Sequence, residues 1–277
     1  MEQWSPLVRR LTAPNGSKMT GPGTNTYLLG RDEYTVLDPG PLDDSHLQAI
    51  LAAGEGKIRR IVATHTHKDH SPLTRELAAL TGAEVFGCVM DEPDHFQDTT
   101  FSVARNISHG QLLTTDEFTL EAIHTPGHVG NHFCYLLREE GLLFSGDHIM
   151  DGSTVVIIPP SGDMKDYLQS LELLRDYPLT GIAPGHGNLI PEPMKVVDML
   201  YRHRLMREQK TLSGMRKVGE ASLLEILPVV YDDVDPAVLT YARYSLWAHL
   251  LKLQRDGRAT CTQTHGEFDQ ARWRLHG

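Results

Sequence analysis

Short apolar runs alternate with turn-forming residues along residues 1–190. Runs rich in β-branched and aromatic residues that end at Gly, Pro, Asp or His predict strands, and they lie at residues 25–29, 34–37, 58–63, 84–88, 118–124, 133–137, 142–145 and 181–183. Apolar residues at helical spacing predict helices at residues 44–53, 73–80 and 164–175. Because strands and helices alternate in this way, we expect a layered α/β domain.

The pattern changes from Pro191 onward. Helical patterns cover residues 194–215, 222–227 and 236–255, with the second ending near Pro228 and Gly257 following the third as a cap residue. Two strand-like pieces, at residues 259–262 and 271–275, flank Gly266. Helices followed by a hairpin predict a small, mostly helical, winged-helix-like domain at residues 191–277. Such modules bind nucleic acid in many proteins and serve packing or dimerisation in others, so contact with RNA and a homodimer are both open hypotheses.

Composition narrows the class of protein. Hydrophobic residues make up 40% of the chain, which is enough for a packed core. We expect no membrane partner, because no apolar run approaches 18 residues and the N-terminus has no apolar signal segment. The three cysteines, Cys88, Cys134 and Cys261, lie far apart and suit free thiols in a reducing compartment. The cytoplasm is therefore the expected location.

Charge bears on the class of substrate. The formal net charge is −10 at pH 7, and in residues 1–200 Asp and Glu outnumber Lys and Arg by 27 to 14. Phosphate contacts need clustered positive charge, so this part does not look like a general polyanion-binding surface. The acidic balance slightly favours a small substrate over RNA.

A cluster of metal-ligand residue types follows the strand predicted at residues 58–63. It reads His65-x-His67-x-Asp69-His70. Residues two apart at a strand end project to the same side, so His65 and His67 can chelate one metal. After the chain turns, Asp69 and His70 can face a second one. Imidazole and carboxylate ligands suit Zn²⁺, and also Fe or Mn.

Three later residues occur in the same context, a turn directly after a predicted strand. His128 ends the turn Thr125-Pro126-Gly127-His128, Asp147 follows Gly146, and His186 follows Gly185. Each is a weak indication alone, but their shared position at strand ends predicts that they complete the metal site.

The order of these motifs resembles the metallo-β-lactamase superfamily, over about residues 14–190. The resemblance implies an αββα sandwich at residues 1–190, as the catalytic domain, with two metals at one edge of its sheets. Asp38 matches an Asp that supports the site from a strand end. The implied ligands of the first metal are His65, His67 and His128, those of the second are Asp69, His70 and His186, and Asp147 bridges both.

The resemblance also implies the chemistry, with two Zn²⁺ ions per chain and Fe or Mn as alternatives. Two metals lower the pKa of a shared water so that a bridging hydroxide can act as the nucleophile near neutral pH. Asp69, Asp147, His132 and His148 are the expected catalytic residues. His132 and His148 lie close in sequence to the ligands, and each is either a hydrogen-bond partner of a ligand or a proton donor.

Two branches of the superfamily are disfavoured by particular residues. True β-lactamases lack the bridging Asp that Asp147 provides, and flavin-linked diiron members carry Glu where this chain has His67. The chain resembles most closely the β-lactamase-like endoribonucleases, which cleave single-stranded RNA, through the strand motif from Met19 to Leu28 and the winged-helix-like tail. The sequence departs from that group at Ser71-Pro72-Leu73, where a Gly-Gly continuation is expected.

The alternative is hydrolysis of a small thioester or ester, as in glyoxalase II or acyl-carrier thioesterases, since the same ligands serve both reactions. Glyoxalase II typically has a C-terminal basic cluster, and this chain offers only Arg202, Arg204, Arg207 and Lys210. A third hypothesis is an inactive metal-binding scaffold that acts through its tail.

Overall fold

The computed structural model describes residues 1–90, 95–263 and 268–276. Two compact units make up the chain. The first contains Met1–Thr125, Asn131–Val155 and Tyr177–Met194, and the second contains Pro126–Gly130, Val156–Asp176 and Lys195–Gly277. The domain boundary that the sequence predicts after residue 190 stays a prediction, and Gly266 lies outside the described residues.

The first unit begins with a six-stranded sheet in the order β1-β2-β3-β4-β5-β6. Strands β4, β5 and β6 are parallel, whereas β1 to β4 pair antiparallel. The strands are β1 (Glu2–Gln3), β2 (Val8–Thr12), β3 (Asn25–Leu29), β4 (Tyr34–Leu37), β5 (Ile58–Val62) and β6 (Glu84–Phe86).

A second sheet of five strands has the order β11-β10-β9-β8-β7. Strands β10 and β11 are parallel, and the other neighbours are antiparallel. The strands are β7 (Leu112–Thr114), β8 (Thr119–His124), β9 (Phe133–Leu137), β10 (Leu142–Gly146) and β11 (Gly181–Pro184).

Alternate residues of each strand point to opposite faces of the first sheet, and both faces carry part of this unit's core. Leu37 and Val62 point towards the second sheet and share a core with its Tyr135 and Phe144. Their neighbours Val36 and Ile61 point to the opposite face. Helices α1 (Asp44–Gly54) and α2 (Leu73–Thr81) cover that face with apolar residues that include Ile50 and Leu77.

The second unit is mostly helical. Its helices are α3 (Met164–Leu173), α4 (Pro193–Val218, which starts in the first unit), α5 (Leu223–Val230) and α6 (Leu239–Arg255). A small sheet in the order β12-β14-β13 completes it, with β12 (Ala221–Ser222), β13 (Ala259–Gln263) and β14 (Arg272–Leu275). Trp273 is buried in the core of this unit, together with apolar residues of α5 and α6.

Two predicted helix ends were wrong. Helix α5 continues past Pro228 to Val230, because Ile226 and Val230 are buried in the core and packing outweighs the hydrogen bond that proline removes. The segment predicted as a helix from Pro236 starts as a 3-10 turn, Pro236–Val238, before α6. No helix among the described residues is long and apolar enough to span a membrane.

Candidate metal centre

The candidate ligands of the first unit and the supporting Asp38 follow four strand ends. Strands β4 and β5 are parallel neighbours, so Asp38 and the segment from His65 leave the first sheet at the same edge. Strands β10 and β11 are likewise parallel, and Asp147 and His186 leave the second sheet together. Side chains distant in sequence are thus gathered by the sheets.

Hydrogen bonds hold the two sheets together at this edge. The Phe133 N–H donates to the Thr64 carbonyl at 2.8 Å, and the Asn25 N–H donates to the Gly185 carbonyl at 2.8 Å. The Tyr27 hydroxyl donates to the Pro184 carbonyl at 2.7 Å. These bonds join the backbones that carry the ligands, so the spacing between the two ligand groups is set by the sheets.

Asp69, His70, Asp147 and His186 form a compact cluster. Their nearest donor atoms all lie within 4.8 Å of one another. Oδ1 of Asp147 is 3.4 Å from Nε2 of His70 and 3.3 Å from Nε2 of His186. Oδ2 of Asp69 is 3.6 Å and 3.3 Å from the same two nitrogens. Bonds of about 2.0–2.1 Å to a tetrahedral cation would place ligand atoms about 3.3–3.4 Å apart, so these residues fit a divalent metal.

The ring orientations suit metal binding as well. Nδ1 of His70 faces the Asp38 carboxylate at 3.0 Å, and Nδ1 of His186 faces the Gly23 carbonyl at 3.2 Å. Both oxygens are acceptors, so each neutral ring carries its proton on Nδ1 and its lone pair on Nε2. Nε2 is the atom that points into the cluster, and this arrangement is typical of metal-binding histidines.

Electrostatics in the cluster favour a cation. Burial raises the pKa of Asp147, but His186 and His70 lower it more and hold that pKa well below its usual range. Burial lowers the pKa of His186, but the carboxylates of Asp147 and Asp69 raise it to about 9. The two carboxylates thus favour protonation of the neighbouring imidazole rings. A divalent ion bound between these residues would neutralise the same negative charge.

His65 and His67 are a second pair of candidate ligands. Nε2 of His65 lies 3.0 Å from Nδ1 of His67. The Thr64 hydroxyl donates to Asp38 at 2.8 Å and therefore accepts from Nδ1 of His65 at 3.0 Å. Burial, followed by the nearby His70 and His67, lowers the pKa of His65 well below its usual range. The ring is therefore neutral, which is the state that binds metal.

His128 belongs to the second unit. Within that unit its Nδ1 lies 2.9 Å from the Val156 carbonyl, so the neutral ring carries its lone pair on Nε2. The tautomer is the one that a metal ligand needs. The place of His128 beside His65 and His67 stays a prediction.

His132 contacts the backbone of a ligand. The Asp147 N–H donates to Nε2 of His132 at 3.2 Å, and Nδ1 of His132 faces the Thr125 hydroxyl at 2.9 Å. This geometry favours positioning of Asp147 over proton donation. His148 is fully buried, with its ring 6.0 Å from that of His132.

Two glycines shape the cluster, and the sequence did not mark either as a site residue. A Cβ at Gly185 would lie 2.8 Å from both Oδ1 of Asp147 and Cε1 of His70. A Cβ at Gly146, where φ is +47°, would lie 2.7 Å from Nε2 of His132. The only sequence indication is that each glycine directly precedes a ligand.

Ser71, where the sequence departs from the endoribonuclease motif, has a structural role. The Ser71 hydroxyl donates to the Asp98 carboxylate at 2.8 Å. The Lys68 N–H donates to the Phe96 carbonyl at 2.9 Å, and the Asp98 N–H to the Thr66 carbonyl at 2.6 Å. Residues 96–98 therefore run along the ligand segment and hold it in place.

Comparison with known proteins supports the family that the motifs suggest. Residues 19–186 match the metallo-beta-lactamase superfamily, and residues 222–273 match the beta-lactamase associated winged helix domain. A beta-lactamase-like protein 2 homolog of Drosophila melanogaster is 32% identical over 95% of this chain and 95% of its own length. An atrochrysone carboxyl ACP thioesterase of Passalora fulva is 31% identical over 83% of this chain and 70% of its own.

A solved structure extends the likeness to the whole described fold. The crystal structure of a metallo-beta-lactamase family protein from Thermus thermophilus has a TM-score of 0.80 and covers 99% of this chain and 100% of its own, at 21% identity. The predicted sandwich and winged-helix-like domain are confirmed. The chain belongs to the metallo-beta-lactamase superfamily, with a beta-lactamase associated winged helix domain after the sandwich.

Proposed function

We propose that this member of a hydrolase superfamily uses two divalent metal ions to cleave a small thioester or ester. The observation that carries the proposal is that two ligand groups adjoin: Oδ1 of Asp147 lies 3.3–3.4 Å from ring nitrogens of His186 and His70, and the His70 ring lies 4.3 Å from the ring of His65. A buried carboxylate at the centre of a ligand cluster can be shared by two cations. Zn²⁺ is the proposed metal, since it prefers this set of nitrogen and oxygen donors, and Fe or Mn suits them too.

The proposed ligand sets follow the family motif. His65, His67 and His128 would hold one metal, Asp69, His70 and His186 would hold the other, and Asp147 would be shared by both. Divalent ions held in this way lower the pKa of water towards neutrality and polarise the carbonyl that is attacked. The presence of Asp147 also argues against a true β-lactamase.

The chain's own residues orient the ligands. Asp38 sets the tautomer of His70 directly and that of His65 through Thr64. His132 binds the backbone N–H of Asp147 and so aims its carboxylate. Asp147 and His70 are buried, so few waters compete with a substrate for the cluster. These contacts hold the ligands in place before substrate binds, which is the main contribution of a protein to metal catalysis.

An acyl substrate is favoured by two observations. Relatives named atrochrysone carboxyl ACP thioesterase are 29% and 31% identical to this chain over 93% and 83% of its length. The excess of acidic residues in residues 1–200 opposes a polyanionic substrate. Both favour a thioester or ester of modest size.

Single-stranded RNA is the second candidate. A winged helix domain follows the sandwich, and such domains bind nucleic acid in many proteins. Metals held by the same residues would activate water for attack on a phosphodiester as well as on an acyl group. The two candidates differ in the charge of their substrate, so a direct comparison separates them.

The test uses protein of measured metal content against acyl thioesters of different chain length and against a labelled single-stranded RNA. Asp147→Asn keeps the size of the side chain and removes its charge, and we expect it to lower thioester hydrolysis at least ~100-fold. Asp32→Asn makes the same chemical change at an exposed turn and serves as the matched control.

Several outcomes decide between the hypotheses. Thioester turnover that is lost in Asp147→Asn and kept in Asp32→Asn supports the proposal. Cleavage of RNA without thioester turnover would instead support the endoribonuclease hypothesis. Two metals bound without turnover of any substrate would favour an inactive scaffold, and equal activity in both variants would rule out a role of Asp147 at two metals.

A further inference from the structure

A cavity of about 730 Å³ lies within the second unit, well apart in sequence from the metal ligands. Residues at the end of α4, in the turn after α6 and at the end of β14 line it. Cavities of roughly 300–1,000 Å³ are the usual size of small-molecule sites. The winged helix domain therefore has space for a ligand of its own.

Three arginines line this cavity, namely Arg216, Arg258 and Arg274. Among the described residues, neither Arg216 nor Arg274 has a carboxylate within 4.0 Å of its guanidinium group. Arg258 pairs with the buried Glu208 at 3.1 Å, so its position is fixed. Planar guanidinium groups bind phosphate and carboxylate through paired hydrogen bonds, and two of the three have no such partner in the part of the chain that the structure describes.

The single acidic residue of the lining is already engaged. Oε1 of Glu220 accepts a hydrogen bond from the Thr262 hydroxyl at 3.0 Å and lies 3.9 Å from Nε of Arg272. Arg272 does not line the cavity. The charge left facing the cavity is therefore positive.

Apolar side chains complete the wall. Leu212 and Met215 of α4 are buried, and Leu275 of β14 packs partly buried against the same core. Leu275 is therefore the apolar side chain that offers surface to a ligand, and an inorganic ion on the arginines would leave that surface in water. A ligand that uses the whole cavity has an anionic head and an apolar body.

We propose that this cavity binds a small amphipathic oxyanion, a molecule with a phosphate or a carboxylate group on an apolar chain. Arg216 and Arg274 bind the head group, Arg258 adds positive charge, and Leu275 contacts the chain. This binding site is distinct in its residues from the metal cluster and does not depend on the reaction catalysed there.

Isothermal titration of the full-length, metal-loaded protein with octyl phosphate, octanoate and inorganic phosphate tests the proposal. We expect at least one amphipathic probe to bind about ten times or more tightly than inorganic phosphate, because its chain buries apolar surface. The better of the two probes identifies the head group. Arg216→Gln and Arg274→Gln should each weaken its binding about tenfold, since each removes a charged hydrogen bond.

Two further variants separate this site from general effects of charge. Lys217→Gln removes an exposed positive charge next to Arg216 but outside the cavity. The affinity of this variant for the amphipathic probe should stay within about twofold of wild type. Leu275→Asn should weaken the amphipathic probe and leave inorganic phosphate unchanged.

The proposal is overturned if neither amphipathic probe binds, or if the double variant Arg216→Gln, Arg274→Gln binds as well as wild type. The latter result would place the bound probe at the metal cluster instead. An equal loss in Lys217→Gln would show a general charge effect. Displacement of the probe by a short RNA that itself binds more tightly would assign the cavity to nucleic acid.

Discussion

Oδ2 of Asp38 lies 3.0 Å from Nδ1 of His70, and both side chains are fully buried. Oδ1 of the same carboxylate accepts the Thr64 N–H at 2.7 Å, and Oδ2 also accepts the Thr64 hydroxyl. One carboxylate thus holds both ends of the ligand segment from His65 to His70. Its backbone φ is +49°, a region that Asn and Asp tolerate better than other side chains.

Asp38→Asn isolates the hydrogen bonds from the backbone conformation. The amide keeps one acceptor oxygen, so its NH₂ group must face either the Thr64 N–H, or both the Thr64 hydroxyl and the proton on His70. We expect metal affinity at the His70 position to fall about 10- to 100-fold, with a smaller change in thermal stability. Competition with a chelator measures the affinity, and unchanged affinity would show that Asp38 does not orient His70.

Gly185→Ala places a methyl group where the cluster has no room. The new Cβ would lie 2.8 Å from the Asp147 carboxylate and from the His70 ring, so at least one ligand must move. We expect a loss of metal affinity of about tenfold or more. In Gly181→Ala, the nearest atom to the new Cβ is the flexible end of Leu142 at 3.3 Å, so this variant is the matched control. Equal metal content in the two variants would contradict the crowding argument.

His249 makes the stability of the second unit sensitive to acid. The ring is fully buried in α6, and neither nitrogen has a hydrogen-bond partner among the described residues. Burial first, and then the nearby Arg204 and Lys252, lower its pKa well below the usual 6.5. Below about pH 6.5 the unfolded chain therefore binds one more proton than the folded chain, so stability falls as pH decreases.

The expected slope from this residue is at most about 1.4 kcal/mol per pH unit. His249→Leu removes it, and the difference in unfolding free energy between variant and wild type should grow from about pH 7 to about pH 5. Tryptophan fluorescence follows the unfolding, since Trp247 and Trp273 belong to the core of this unit. Parallel pH profiles for the two proteins would mean that folding does not lower the pKa of His249.

Glu208 is a buried carboxylate held by two cations. It lies 2.6 Å from Nζ of Lys252 and 3.1 Å from Arg258. Glu208→Gln leaves Lys252 with Asp256 alone, and we expect a loss of about 2–3 kcal/mol in unfolding free energy. Asp198 lies on the same helix as Glu208 and forms an exposed ion pair with Arg175. Asp198→Asn breaks this pair and should change the unfolding free energy by less than about 1 kcal/mol. Urea unfolding measures both, and similar values would place Glu208 in a solvated environment.

Sequence patterns predicted the central strands because these strands are short and buried. Asn25–Leu29 and Tyr34–Leu37 were predicted to the residue. Strand β2 was missed because Arg9 and Arg10 interrupt its apolar pattern. In the structure the two arginines lie over the rings of Tyr34 and Trp4, at 4.2 Å and 4.6 Å from the ring centres. These aromatic rings come from other parts of the chain, so their contacts with the arginines leave no pattern in the sequence around β2.

In the candidate site, too, local motifs were predicted and contacts between distant segments were not. His65 to His70 form a local motif, so the sequence alone indicates their chemistry. The support from Thr64, Gly185 and residues 96–98 was not predicted, since each acts through contacts between segments distant in the chain. The role of Pro228 was predicted wrongly for a related reason, because burial of Val230 overrides the local effect of proline.

The ligands of the His70 cluster are spread from Asp69 to His186, on loops of both sheets. An unfolded chain can offer a cation only the short segment from His65 to His70, so the complete chelate exists only after the two sheets have met. A metal bound there consequently acts as a clasp between sequence-distant halves of the fold. Loss of the metal should loosen the contact of β11 with the first sheet before any strand within a sheet separates.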